Sequence, residues 1–329
     1  MKAAVLVLLA AACAFAQQWG PNVVNGRVET LAFSGDLGAQ LRASTPAWFG
    51  YAVRAVPGEH GDRCRCSLED GWQRSAESGT IHLEEPGAIS VLYRVSNDGV
   101  EKVRVFSIDC QIDAGGKAVV WLTGVPADAS IAWLEKLVRA DSTTDTAVMA
   151  IAQHDTALAD TVLEKMVRPA EPEHLREKVT FWLGAARGAR GVQLLGNMLA
   201  SDASDNIRDK AVFGLFVSRQ PEALPLIIRA AKSDTSGHVR GQALFWLAQK
   251  AGKRAAEAID DAIRNDPDTE VKKRAVFALS QLPKDEGVPK LIEVARTQRN
   301  PEVRKQAFFW LGQSQDPRAL AYIEQVLEK

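Results

Sequence analysis

The chain has 329 residues, of which 46% are hydrophobic and 25% are charged, enough apolar material for a sizeable core and about two domains. Its 40 Lys and Arg residues and 41 Asp and Glu residues leave a formal net charge of −1. This near-neutral balance disfavours nucleic acid and anionic membranes as partners, because proteins that bind these negatively charged surfaces usually carry an excess of positive charge.

The first residues, 1–16, read MKAAVLVLLAAACAFA, with one lysine, an apolar run and Ala14-Phe15-Ala16 as a small-residue cleavage site. This pattern is typical of a secretory signal peptide and is too short to span a membrane. We expect cleavage after Ala16 and a periplasmic or secreted mature protein without an integral membrane segment. Lipidation at Cys13 is the alternative, although Ala10 stands where lipoprotein signals usually carry leucine.

Residues 17–124 contain short runs rich in valine, isoleucine and aromatic residues, separated by glycine and proline. Such runs predict a small antiparallel β domain, either a sandwich or a curled sheet. The expected strands are 47–56, 80–84, 89–95, 103–108 and 118–122. Asn97-Asp98-Gly99 and Gly115-Gly116 are expected hairpin turns, and 36–43 is an expected short helix.

Three cysteines remain after removal of the leader, Cys64, Cys66 and Cys110, an odd number for an oxidising compartment. We expect a disulfide from Cys64 or Cys66 to Cys110, with the third thiol free or paired between chains. Two alternatives are a metal site that adds His60 and His82, and a redox-active thiol site. The C-x-C spacing lacks the two-residue spacer of common zinc ligand pairs, and no second pair follows, so we assign no metal and no cofactor.

Helical periodicity replaces the strand pattern after residue 124. Residues 130–138 predict an amphipathic helix that begins at Ser130. Residues 143–174 read as a degenerate copy of the repeat that follows, interrupted near its end by Pro169 and Pro172. Because the terminal repeats of a solenoid cap an exposed end and are atypical, we assign 125–174 as a helical linker and N-terminal capping repeat.

Residues 175–329 repeat one pattern five times at a fixed interval of 32 residues. The rows begin with LREKVTFWLG at Leu175, IRDKAVFGLF at Ile207, VRGQALFWLA at Val239, VKKRAVFALS at Val271 and VRKQAFFWLG at Val303. In each row one apolar stripe at helical spacing is followed by a break and a second stripe. A fixed period with two helical runs predicts helix pairs stacked on copies of themselves.

These rows resemble HEAT repeats, and their length is similar to that of the short HEAT-like repeats of phycobilisome lyases. HEAT repeats carry an aspartate in the inter-repeat turn and a basic residue six positions later, which bond from one repeat to the next as a ladder. The matching residues are Asp202, Arg208, Asp234, Arg240, Asp266, Lys272 and Arg304. The first and last junctions depart, with Ala170 before Arg176 and Gln298 before Arg304, and we expect both to be looser.

The resemblance implies an α–α superhelix of HEAT type after the β domain, and it implies no activity. The layout also resembles exported bacterial HEAT-repeat proteins, which offer no activity to carry over. Chromophore-lyase chemistry is disfavoured by the expected export. The row of Arg176, Arg208, Arg240, Lys272 and Arg304 is alternatively a phosphate-binding surface, but Asp and Glu nearly balance the basic residues of this region, so we interpret it as a structural ladder.

Tryptophan recurs at one position in alternate rows, as Trp182, Trp246 and Trp310, with Gly214 and Ala278 between them. Alternation of large and small side chains is typical of interdigitated packing, so we interpret these rings as part of the core stripe. A line of aromatic pockets for a peptide or a glycan is the alternative.

The sequence contains no G-x-S-x-G, H-E-x-x-H or phosphate-binding loop, and His154, His174 and His238 fall at predicted helix ends or turns, where we expect solvated or capping roles. We therefore predict a non-catalytic scaffold whose solenoid docks a protein partner, with a metal- or thiol-dependent β domain as the alternative. In solenoids that resemble this one the second helix of each repeat lines the concave face. Its outward residues, our candidate binding surface, are Gln193, Asn197, Arg229, Lys232, Glu257, Asp261, Glu293 and Arg296.

Overall fold

The structure is a computed structural model of the chain. It describes residues 19–42, 46–57, 64–74, 87–97, 99–140, 142–250 and 253–328. The predicted leader, the 80–84 strand, His60 and His82 lie outside these ranges. The chain forms two compact units: a β-rich unit with the described residues up to 53 and those of 64–126, and a helical unit with 54–57 and the described residues from 127 onward.

The described part of the β-rich unit contains nine strands and one short helix. The strands are β1 Val23–Val24, β2 Arg27–Ala32, β3 Ala47–Arg54, β4 Cys64–Ser67, β5 Gly71–Arg74, β6 Ala88–Ser96, β7 Gly99–Ser107, β8 Ile112–Asp113 and β9 Ala118–Thr123. Helix α1, Leu37–Gln40, begins after Asp36, whose carboxylate accepts hydrogen bonds from the N–H groups of Gly38 and Ala39. The expected strands within the described ranges are present as β3, β6, β7 and β9.

The strands form two sheets, ordered β1-β8-β4-β5 and β2-β9-β3-β6-β7. The pairs β6–β7 and β4–β5 are antiparallel, as expected. However, β9 runs parallel to both β2 and β3, and β8 runs parallel to both β1 and β4. The expectation of a purely antiparallel domain is therefore corrected to mixed sheets, in which the parallel pairs join strands far apart in the chain.

Glycines with positive φ mark two turns of this unit. Gly99, with φ 104°, pairs with Ser96 at the start of β7, so the expected β6–β7 hairpin is present. Gly115 and Gly116, with φ 59° and 82°, form the turn from β8 to β9. Because β8 and β9 belong to different sheets, this second turn is not the hairpin that the sequence led us to expect.

The core of the β-rich unit draws side chains from both sheets. Trp48, Leu92 and Phe106 of the five-stranded sheet are buried together with Cys66 and Ile112 of the four-stranded sheet. This shared cluster indicates sheets packed face to face, as in a sandwich.

A disulfide joins Cys66 to Cys110 across 44 positions, with Cα atoms 6.4 Å apart and both residues buried. Of the two predicted pairings, the structure therefore contains the one in which Cys66, and not Cys64, is the partner of Cys110. The Cys64 side chain lies outside the described part of the structure.

The described residues of the helical unit form three leading helices and five helix pairs. The leading helices are α2 Ala127–Leu137, α3 Thr144–Gln153 and α4 Ala157–Met166. The pairs are α5 Glu173–Ala186 with α6 Gly188–Ser201, α7 Asp205–Val217 with α8 Ala223–Ser233, α9 Gly237–Lys250 with α10 Lys253–Asn265, α11 Thr269–Ser280 with α12 Lys284–Thr297, and α13 Pro301–Gln313 with α14 Pro317–Leu327. The predicted fold of two helices per repeat is confirmed.

We call the first helix of each pair helix A and the second helix B. The core stripe of helix A in the first pair is Leu175, Val179 and Leu183, all nearly inaccessible to solvent. Helices α5 and α7 approach closely at Gly184 and Gly214, since a Cβ on Gly184 would lie 1.9 Å from the Gly214 carbonyl oxygen. Within the described ranges no helix combines the length and the apolar character that crossing a bilayer requires.

Candidate functional site

The basic row forms a ladder of buried ion pairs along the A helices. Arg208 Nε and Nη2 donate to the two carboxylate oxygens of Asp234 at 2.9 and 3.0 Å. Arg240 holds Asp266 in the same way at 2.7 and 3.0 Å, and Arg176 Nη1 donates to Asp202. These bidentate contacts raise the pKa of Arg208 and Arg240, and they leave few donors for any other anion.

The ladder partners differ from the sequence expectation. Arg208 and Arg240 each hold the carboxylate 26 positions ahead, whereas the aspartate six positions before each of them offers only its backbone oxygen. The Arg208 Nη1 bond to the Asp202 oxygen, at 2.9 Å, is one such contact. One aspartate therefore accepts from the arginines on both sides of its turn, which links consecutive repeats.

The two atypical junctions lack a ladder carboxylate at different places. Arg176 is buried and donates to Asp202 of the next turn, but its Nε has no hydrogen-bond partner among the described residues. Ala170 offers no carboxylate before Arg176, and the looser first junction stays a prediction. At the other end Gln298 stands 26 positions after Lys272, and Lys272 Nζ donates instead to the Arg264 backbone oxygen at 3.1 Å. The pair that would complete the ladder here lacks its carboxylate.

The candidate binding surface lies along four successive B helices. Seven of its eight side chains are exposed, and Asp261 is half-buried. The surface changes sign from repeat to repeat, with the basic pair Arg229 and Lys232 on α8 and the acidic pair Glu257 and Asp261 on α10. Lys232 Nζ lies 3.4 Å from the Asp261 carboxylate, and a hydrogen bond from Asn265 lowers the pKa of that carboxyl.

A cleft of about 350 Å³ opens between α6 and α8 beside this surface. Leu199 and Leu226 supply its apolar lining, and Arg229 lies at the same cleft. The ladder pair Arg208 and Asp234 also lines it. The cleft can therefore take an apolar side chain next to a charged, exposed rim.

A second surface feature is a row of aromatic rings along the A helices. Phe181 stacks on Phe213 at 6.0 Å between ring centroids, and Phe213 lies 4.9 Å from Trp246. The row continues with Phe245 on Phe277 at 5.9 Å and Phe277 against Trp310 at 5.0 Å.

The three tryptophans of this row are half-buried, so their assignment to the core stripe is corrected. Trp246 and Trp310 pack against rings of the preceding repeat, and Trp182 packs against Phe181 of its own helix. Within the row only Phe181 and Phe309 are exposed, by 37% and 53%. Because the inner rings cover one another, the geometry favours packing between repeats over a line of open pockets.

A buried polar cluster holds the start of the helical unit together. His154 is fully buried, with Nδ1 2.7 Å from the Ala150 carbonyl oxygen and Nε2 2.8 Å from Ser130 Oγ. Burial, together with the charge of Arg187, lowers the pKa of His154 to about 4, although the bond to Ala150 opposes the shift. The ring is therefore neutral: Nδ1 donates to the carbonyl and Nε2 accepts from the hydroxyl. Of the two roles expected for His154, the solvated one is wrong and the capping one is confirmed, because His154 is the C-cap residue of α3 and its ring bonds to a carbonyl oxygen of the last turn.

Arg187 completes this cluster. Its guanidinium donates to the backbone oxygens of Ala152, His154 and Thr156 and to the Asp160 carboxylate at 2.8 to 3.2 Å. Four hydrogen bonds from the five N–H donors of the guanidinium compensate the burial of its charge, which indicates a structural role for the cluster.

The β-rich unit has its own charged centre at Glu69, in the β4–β5 turn. Burial by itself would raise the pKa of Glu69, but bonds from Lys117, Lys102 and Trp48 and the charge of Arg94 lower it to about 2. The lysine and arginine nitrogens lie 2.5 to 3.0 Å from its carboxylate. This network fastens the turn onto β6, β7 and the β8–β9 turn, a contact that the sequence did not reveal.

The described residues include no group of three or more His, Cys, Asp or Glu side chains that could hold a metal ion. In the disulfide-bonded state Cys66 and Cys110 are also not available as thiolate ligands. The metal and redox hypotheses involve His60, His82 and the Cys64 side chain, which lie outside the described part, and they stay hypotheses.

Helix pairs in series, with an Arg–Asp ladder between them, define an α-helical repeat protein. The model of the HEAT repeat family matches residues 192–280 and 257–329. The C-terminal part of this chain therefore consists of HEAT repeats, which confirms the resemblance that the sequence rows indicated.

Solved structures that match part of this chain include the phycocyanin lyase complex of CpcE and CpcF from Nostoc sp. PCC7120, with 22% identity over 47% of this chain and 99% of that chain, at a TM-score of 0.36. Human deoxyhypusine hydroxylase in complex with glycerol has 19% identity over 61% of this chain and 78% of that chain, at a TM-score of 0.27. Kap95p bound to RanGDP has 15% identity over 61% of this chain and 31% of that chain, at a TM-score of 0.38. Similarities this low carry no inference about function, and no curated protein matches the chain.

Proposed function

We propose that the protein is an exported, non-catalytic scaffold whose B helices dock a protein partner. The observation that carries this proposal is the row of exposed polar side chains on α6, α8, α10 and α12, which runs beside an open cleft. HEAT-type arrays offer extended surfaces of this kind, and their usual use is contact with other proteins.

The charges of this surface indicate which charged side chains a partner would carry, and in what order. Arg229 and Lys232 on α8 favour acidic side chains, and Glu257 on α10 favours a basic one further along. The cleft between Leu199 and Leu226 suits an apolar anchor near the acidic segment. An extended polypeptide with an acidic part, an apolar residue and a basic part fits this order. A uniform polyanion does not, because α10 would repel it.

Export is supported by the leader pattern of residues 1–16 and by the buried Cys66–Cys110 disulfide, a bond that is typical of oxidising compartments. The partner would accordingly be a protein of the envelope or the extracellular space.

The proposal is tested by crosslinking the tagged mature protein in its host envelope and identifying the captured proteins by mass spectrometry. The decisive variant is Arg229→Glu, because it reverses the charge at the cleft. Lys305→Glu is the matched control, since it makes the same charge change at an exposed position on an A helix.

We expect one dominant protein whose recovery falls by about tenfold or more in Arg229→Glu and is unchanged in Lys305→Glu. A dominant protein whose capture is insensitive to Arg229→Glu would contradict docking on the B helices.

A further inference from the structure

A cavity of about 630 Å³ lies in the helical unit, where helices α3, α5 and α7 end. This volume is within the range of about 300–1,000 Å³ that is typical of pockets for small ligands. We call it the turn pocket, and it is separate from the cleft between α6 and α8. Its lining includes Gln153, Trp182, Gly184, Ala186, Gly188 and Arg219.

The turn pocket is the repeat counterpart of the place that the Arg187 guanidinium occupies. Arg187 donates to three backbone oxygens at the end of α3 and in the turn that follows, and to the Asp160 carboxylate. Arg219 stands 32 positions after Arg187, and three of the four counterparts of the Arg187 acceptors line the turn pocket. In chain order these four counterparts are Gly184, Ala186, Gly188 and Val192.

Arg219 lacks the carboxylate that Arg187 has. Val192, a buried apolar residue, stands at the position of Asp160. Arg219 is exposed, and its guanidinium makes no hydrogen bond or ion pair with the described residues. The described lining of the turn pocket also contains no Asp or Glu. The pocket therefore presents a positive charge that the chain does not compensate there.

One repeat later the corresponding space is filled by side chains of the protein itself. Phe216 stands at the position that Gly184 has in the turn pocket. Lys250 Nζ lies 5.7 Å from the centroid of the Phe216 ring and donates to the Ser218 backbone oxygen at 3.1 Å. The spaces on both sides of the turn pocket are thus occupied, by Arg187 before it and by Phe216 and Lys250 after it, whereas the turn pocket is open.

We propose that the turn pocket binds a carboxylate that is joined to an apolar or aromatic group. The carboxylate takes the position beside Arg219 that Asp160 takes beside Arg187, and the apolar group packs on the half-buried ring of Trp182. The side-chain amides of Gln153 and Gln220 also line the pocket and can form hydrogen bonds with polar atoms of the ligand. This binding is additional to partner docking on the B helices.

The test is isothermal titration calorimetry of the full mature chain with two probes, N-acetylphenylalanine and the N-acetylated tripeptide Ala-Leu-Phe, each as free acid and as C-terminal amide. Arg219→Ala removes the uncompensated cation, and Ala185→Glu places a competing carboxylate at an exposed residue of the pocket wall. Arg299→Ala is the matched control, since it removes an exposed arginine from a turn outside the pocket. All three residues are exposed, and thermal unfolding followed by circular dichroism checks that the variants fold.

We expect the free acids to bind and their amides to bind about tenfold or more weakly. The dissociation constant of the free acids should rise by about tenfold or more in Arg219→Ala and in Ala185→Glu, with no change in Arg299→Ala. Tighter binding of the tripeptide than of N-acetylphenylalanine would identify a peptide C-terminus as the ligand, and equal binding would identify a small carboxylate.

Three results would overturn the proposal: no binding of either free acid at millimolar concentration, equal binding of acids and amides, or binding that Arg219→Ala leaves intact. The turn pocket shares no residue with the candidate binding surface or with the cleft beside it. Its failure would therefore be distinguishable from a failure of partner docking.

Discussion

The buried polar residues of the helical unit are structural, and His154 shows this most clearly. The sequence places His154 correctly at a helix end, because the apolar periodicity of α3 stops there. Its burial could not be predicted, since the side chains that enclose it, Ser130 and Arg187, come from positions far away in the chain. A local pattern carries no signal for such contacts.

At this scale we predict a loss of stability in mild acid. The unfolded chain binds a proton at His154 near pH 6.5, whereas the folded chain does so only near pH 4, so the folded state loses stability as the pH falls between these values. The loss amounts to about 3 kcal/mol at the lower end. Urea unfolding of the mature chain at pH 7 and pH 5 measures most of it. The low pKa of Glu69 adds its own loss only below about pH 4.5.

The control for this prediction is the exposed His238. His154→Gln should flatten the dependence on pH above 4.5, and His238→Gln should leave it unchanged. An equal dependence on pH in both variants would contradict a buried, neutral His154.

At the scale of single elements, the ladder shows what spacing can and cannot predict. The alternation of aspartate and arginine identified the residues of the ladder. It did not identify their partners, because the pattern does not say whether an arginine bonds to the carboxylate before it or to the one after it.

The strands were also predicted only in part from local patterns. β6 and β7 were predicted from their apolar runs, whereas all six residues of β2 are exposed and give no such signal.

For the ladder we predict that Asp234→Ala costs about 3 kcal/mol of unfolding free energy, because it leaves the buried guanidinium of Arg208 without its carboxylate. Gln298→Ala is the matched change at the incomplete pair and should cost about 1 kcal/mol, since only neutral hydrogen bonds are lost there. Chemical denaturation of both variants measures the difference. Equal losses would show that the ion pair adds nothing beyond its hydrogen bonds.

At the scale of the whole molecule, the helix pairs of the repeat region were predicted, and the β-rich unit was predicted in part. A fixed period of 32 residues predicts a stack of helix pairs, because each repeat must bury its apolar faces on the next repeat. Strand β9 pairs in parallel with β2 and β3, which lie dozens of residues earlier in the chain, and no local sequence pattern predicts such pairs. The eight candidate surface residues were placed on the B helices by the same periodicity, whereas the cleft beside Arg229 depends on packing and needed coordinates.

The most direct test of partner docking on the B helices is site-specific photocrosslinking in the host envelope. A photoreactive amino acid at position 197, 229 or 293 places the probe on a B helix, and one at position 305 places it on an A helix. We predict that the B-helix positions all yield an adduct with one and the same protein and that position 305 yields none. Adducts with a protein from position 305 alone would contradict the account and would move the docking surface to the A helices.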